Sequence, residues 1–158
     1  MLPLLKICFL FIILYGNVNI NAQTNYTNAF GVRIGDASGL TFKHMLNTKK
    51  GIDLSMGFPA FNGVLVSGLY EIHHGLNETD LLLYYGCGAH IGTRNYGRYH
   101  HQTGSIGIDG IIGAEYSFTE APINIAIDWK PSINFASDFG IWPFGFGVSL
   151  RLIIAQPI

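Results

Sequence analysis

Nine charged residues stand at alternating positions inside otherwise apolar segments of this chain: Arg33, Lys43, Asp53, Glu71, Asp109, Glu115, Asp128, Lys130 and Arg151. An isolated buried charge is very costly, whereas well-paired buried charges roughly break even. Four cations against five carboxylates therefore suit a salt-bridged network, with one carboxylate left to a histidine, to water or to a proton. His73 and His90 follow the same alternation and could serve it. A second set has the residue types of a nucleophilic hydrolase. Ser105 as nucleophile, His101 as base and Asp109 or Glu115 as orienting carboxylate would meet the needs of an activated hydroxyl. A third set is consecutive: Arg94, Tyr96, Arg98, Tyr99, His100 and His101 lie in the run 93–103. Arginine forks suit phosphate, and arginines with aromatics are favoured at binding surfaces. The adjacent His100 and His101 are metal-ligand types, but no third ligand accompanies them, so no metal site is assigned.

The elements that must position these residues read as strands. In 105–118 the even positions hold Ile106, Ile108, Ile112, Tyr116 and Phe118, and the odd positions hold Ser105, Asp109, Glu115 and Ser117. A strand sends successive side chains to opposite faces. A helix would bring Asp109 and Ile112 to one face. The same alternation recurs over 28–34, 40–46, 52–58, 64–73, 83–91, 123 to about 135, and 144–152, which makes eight strands. Pro131 predicts a bulge or an end of pairing in the seventh. The run 93–103 is the longest expected loop, and 136–141 is another.

Residues 1–22 read as a cleaved secretory signal peptide: Lys6, the apolar run 7–15, then Ala22 at the cleavage position. That run is shorter than the roughly 20 residues of a spanning helix. Cys87 is then the one mature cysteine, which excludes an intramolecular disulfide and a cysteine metal cluster. Residues 23–158 suit a single domain. A net charge of −1 leaves no electrostatic footprint for nucleic acid.

Alternation alone does not separate a soluble sandwich from a membrane barrel, because a sandwich turns its charged face to water and its apolar face inward. The apolar stripes here are long, rich in aromatics, present on every strand and accompanied by an export signal. None of the nine charges falls on them. In lipid every backbone group must pair internally, so a spanning sheet closes on itself. Eight strands are the smallest usual barrel, with an interior that side chains just fill. The expected fold is all-β: an eight-stranded antiparallel up-and-down transmembrane β-barrel behind a signal peptide, its nine charges pointing into the lumen.

The runs GVRIGDASGLTFKH (31–44), GLYEIH (68–73), YYGCGAHIG (84–92), IGIDGIIGAEYSF (106–118) and IDWKPSINF (127–135) resemble a family of small outer-membrane β-barrel proteins of gram-negative bacteria. That family is similar in architecture to the membrane domain of outer-membrane protein A, to outer-membrane protein X and to opacity-type barrels. The resemblance covers nearly all of the mature chain. It implies an outer-membrane location, outer-membrane lipid and the barrel-insertion machinery as partners, and neither a catalytic residue nor a cofactor. Such barrels commonly end on an aromatic residue; here the last residues are Gln156, Pro157 and Ile158. Some eight-stranded barrels act on lipid A with a serine, a histidine and a carboxylate, but the His-x-Ser-Asn kind of signature is absent. The sequence thus predicts a non-catalytic monomer serving envelope structure or surface interaction, with the 93–103 loop toward lipopolysaccharide or another extracellular ligand. A lipid A-modifying enzyme and a narrow pore are the alternatives.

Overall fold

A computed structural model describes residues 26–59, 63–76, 80–96, 101–118, 120–136 and 139–155. The expected signal peptide lies outside them, as do the loop residues Arg98, Tyr99 and His100. Of Arg94, Tyr96 and His101 the backbone alone is described.

Ten strand segments form: β1 (Asn28–Gly35), β2 (Ala37–Asn47), β3 (Lys50–Pro59), β4 (Gly63–Gly75), β5 (Leu81–Tyr96), β6 (His101–Ser117), β7 (Ile123–Trp129), β8 (Ser132–Asn134), β9 (Gly140–Trp142) and β10 (Phe146–Ala155). Each of β1 to β7 pairs antiparallel with its sequence neighbour, β7 pairs with β10, and β10 returns to β1. The sheet is therefore closed, and its staves number eight. β8 continues the seventh stave: it pairs with β6 through Ile108↔Ile133, above the β6–β7 register of Ile112↔Trp129. The break falls at Lys130 and Pro131, where proline has no N–H to give the ladder. β9 pairs with β8, so the expected 136–141 loop is shorter than its sequence suggests.

The expected 93–103 loop is shortened in the same way. β5 and β6 stay in register from Leu81↔Tyr116 to Tyr96↔His101, which leaves 97–100 between them. The alternation that marks a strand comes from having one apolar face. Once the outward positions turn polar beyond Ile91 and Ile106 the pattern stops, yet the backbone goes on pairing.

The burial pattern is inside-out relative to a soluble protein. Outward positions expose Phe30, Leu54, Val66, Tyr85, Ile112, Ile127 and Leu150 among many others. Inward positions are mostly polar, with small apolar clusters around Leu69, Tyr84 and Ile111 and around Tyr26, Ala29 and Met45.

Candidate functional site

All nine charged residues at inward positions are buried within the lumen. They fall into layers. The lowest is centred on Lys43 of β2, whose Nζ lies 2.8 Å from Glu71 Oε2 and 2.9 Å from Glu115 Oε2. β2 and β6 are opposite staves of an eight-stave ring, so the Lys43–Glu115 pair crosses the whole lumen. The Tyr26 hydroxyl donates to the other oxygen of Glu115 at 3.0 Å. The Lys43 ammonium also stands 4.2 Å from the centre of the Tyr84 ring, within cation–π reach. His73 stacks on Tyr84 and places Nε2 3.5 Å from Glu71 and 3.6 Å from Glu115.

Alongside it, Arg151 of β10 spreads its guanidinium over three partners. Nη2 donates to Asp53 Oδ2 at 2.7 Å, Nη1 to Asn124 Oδ1 and Nε to Thr41 Oγ1, both at 3.3 Å. Thr41 in turn donates to Asp53 at 3.2 Å. Lys43 sits directly across the ladder from Asp53, yet both make their ion pairs across the lumen instead.

The next layer joins Arg33 of β1 to Asp128 of β7: Nη1 donates to both carboxylate oxygens at 2.6 and 2.5 Å. The Tyr84 hydroxyl donates to the same carboxylate at 3.1 Å. At the end carrying the 97–100 connection, His90 Nδ1 and Asp109 Oδ1 are 2.7 Å apart, and Lys130 Nζ donates to Ser67 Oγ at 3.2 Å.

Among the described side chains of the hydrolase set, Ser105 and both candidate carboxylates have other partners. Ser105 Oγ donates to Asn134 Oδ1 at 3.2 Å, and Asp109 is held by His90. Ser105 and Glu115 are ten positions apart along β6, which at a strand's rise is roughly 33 Å. The side chain of His101 lies outside the described residues. Among the described residues no group of three or more histidine, cysteine, aspartate or glutamate side chains could hold a metal ion.

Sequence reasoning missed Tyr26, Tyr84, Thr41 and Asn124 as members of the network. It also missed the glycines that give the network room. A Cβ on Gly113 would come within 2.6 Å of the Tyr84 ring, and one on Gly147 would meet the Arg33 guanidinium. Both glycines occupy inward positions, Gly113 across the ladder from Tyr84 and Gly147 two residues from Ser149, the ladder partner of Arg33, and their place in the inward alternation was the available signal.

No family model matches the chain, and no curated protein matches it. Among solved structures it is similar to the N-terminal β-barrel domain of Pseudomonas aeruginosa OprF, with a TM-score of 0.61 and 17% sequence identity, covering 82% of this chain and 99% of that one. The shared feature is the closed eight-stranded barrel.

Proposed function

We propose that this protein is an outer-membrane β-barrel of a gram-negative bacterium, non-catalytic, which serves envelope structure and presents its loops for surface interaction. The observation that carries the reading is the inverted burial: an exposed apolar band on every stave around a lumen that hides all nine charges. In water such a surface would aggregate, and in lipid it is the required one. β5 and β6, at 16 and 17 residues, exceed the roughly 9–11 that a tilted strand needs to cross. Their apolar outward positions end at Ile91 and Ile106, so the paired strands run on beyond the apolar band. With the amino terminus on the periplasmic side, that hairpin is extracellular. Its arginines and tyrosines then suit the phosphates of lipopolysaccharide or another surface ligand. The pairs that cross the lumen argue against an open pore.

The test is fractionation with outer membranes, combined with a change in gel mobility on boiling. Recovery as a soluble periplasmic species would overturn the reading. In a background lacking Cys87, a cysteine at Asn95 should label on intact cells and one at Glu120 should not. The reverse would invert the topology.

A further inference from the structure

The chain breaks its own strand pattern just before β1. Within β1 the odd positions Ala29 and Arg33 are buried, and the even positions Phe30, Val32 and Ile34 are exposed. Thr27 still follows the strand: its carbonyl accepts from the Met45 N–H at 2.8 Å, one step beyond the Asn28↔His44 pair. Continued alternation would turn Tyr26 outward. Instead the chain bends at Thr27, and Tyr26 is 1% exposed, packed with Ala29 and Met45. Its hydroxyl donates to Glu115 Oε1 at 3.0 Å. Glu115 belongs to β6, the third stave from β1, beyond β10 and β7. Tyr26 therefore ties the approach to β1 to a distant part of the wall, at the end of the lumen away from the 97–100 connection. Tyrosine suits the place, because an apolar ring lies on apolar neighbours while the polar tip finds an acceptor.

We infer that Tyr26 is a latch that folds under the barrel, closes this end of the lumen over the Lys43–Glu115 layer, and is fastened by its hydrogen bond to Glu115. Two features make it a latch and not one more stave contact. β1 is already held along its length by β2 and β10, so Tyr26 lies outside the ladder that closes the barrel. Swinging it out gives up one hydrogen bond and a small apolar contact while every strand pair stays in place, which is the cost of a local opening and not of unfolding. The layer behind it is also completely shielded, with Lys43, Glu71 and His73 each at 0% exposure. Opening the latch admits water and small solutes to that layer from the side on which the chain enters.

The experiment follows modification of a lumenal thiol by a water-soluble maleimide, on the purified full-length chain in detergent. Cys87, which is exposed, is replaced by serine, and Met45→Cys supplies a reporter within the Tyr26 cluster. With Tyr26 in place the thiol should react far more slowly than in the urea-unfolded chain. Tyr26→Phe, which keeps the ring and loses the fastening, should speed the reaction by about tenfold, the equivalent of a hydrogen bond to a charged group. Tyr26→Ala should speed it further. A second reporter, Ser105→Cys, is 2% exposed at the opposite end of the lumen and should react at one rate with or without Tyr26→Ala. A Met45→Cys rate that neither Tyr26 substitution changes overturns the latch. So does an equal acceleration at Ser105→Cys, which would mean that the whole barrel has loosened. Should Tyr26→Ala fail to fold, Tyr26→Phe decides alone: the acceleration is expected, and an unchanged rate overturns the inference.

Discussion

Ile112 and Glu115 lie three residues apart on β6 and face opposite sides of the barrel wall. Ile112 is 54% exposed on the outside of the barrel, and Glu115 is 1% exposed within it. The outward side chain is one of a band of exposed apolar residues. The inward one answers to Lys43 from the opposite stave, to Tyr26 from below β1 and to His73 from β4. The outer surface is a solvent match that many residues can provide. The lumen is a set of specific pairings that few substitutions preserve.

The sharpest way to break that contrast is to remove one ion from the lumen. Lys43→Met keeps much of the volume but leaves Glu71 and Glu115 facing each other without their shared cation. Breaking a buried pair from one side costs about 3–5 kcal/mol, and here two carboxylates are stranded, so this is the largest expected effect. Urea unfolding in lipid vesicles measures it. A loss below about 1 kcal/mol would mean that the lumen is wet enough to solvate the carboxylates.

Next in size is a charge on the outer face. Ile112→Arg places a cation near the middle of the apolar band, where such changes cost about 2–4 kcal/mol. Ile112→Leu at the same position should be nearly silent in the same assay. If Ile112→Arg is tolerated and Ile112→Leu is harmful, Ile112 packs in a protein core and the faces have been assigned the wrong way round.

The two faces were not equally legible in the sequence. Which residues face out follows from period-two alternation, because one rule covers every strand: Ile106, Ile108, Ile112 and Tyr116 need no knowledge of any other stave. The same rule gives the nine inward charges. It does not give their partners. Lys43 is in register with Asp53 on β3, and neighbour pairing would have joined them. The actual partners come from the curvature and stagger of the closed sheet, which brings β2 against β6 and β10 against β3. Tyr26 was hidden for another reason: it precedes the first alternating segment, so no strand pattern assigns it a face. The end of the β5–β6 hairpin was misread because the outward positions beyond Ile91 and before Ile106 carry no apolar stripe, while the backbone stays in register to Tyr96↔His101.

Smaller effects test how tightly the lumen is filled. Gly113 faces inward across from Tyr84, and a methyl group there would fall 2.6 Å from the ring. Gly113→Ala would crowd Tyr84, which helps to hold the Asp128 carboxylate at 3.1 Å, and would also meet the Ile127 carbonyl oxygen at 2.7 Å. Overpacking of this kind costs about 1–3 kcal/mol. Adding Tyr84→Phe should make the two changes partly non-additive, since the hydroxyl is one of the groups that the added methyl meets. Full additivity would show that Gly113 and Tyr84 do not compete for one space.

The smallest expected effect lies in the lumen too, and it asks whether every polar side chain there is engaged. Ser149 of β10 is completely buried between Arg33 and Ala126 in the ladder, and its hydroxyl has no hydrogen-bond partner among protein atoms. A buried hydroxyl without a partner bears its desolvation cost with no bond to offset it, and removing such a group is nearly neutral or stabilising. Ser149→Ala also keeps the Cβ, so it opens a gap no larger than the oxygen. The unfolding free energy should stay within about 0.5 kcal/mol of wild type or rise. A loss of 1 kcal/mol or more would mean that the hydroxyl is bonded, to water or to Arg33 after a small rotation. The free side of the Arg33 guanidinium would then be partly satisfied from β10, and the lumen would be a polar network at this layer as well. A neutral result would mark Ser149 as a spacer chosen for size, filling the same role as the inward glycines that make room for Tyr84 and Arg33.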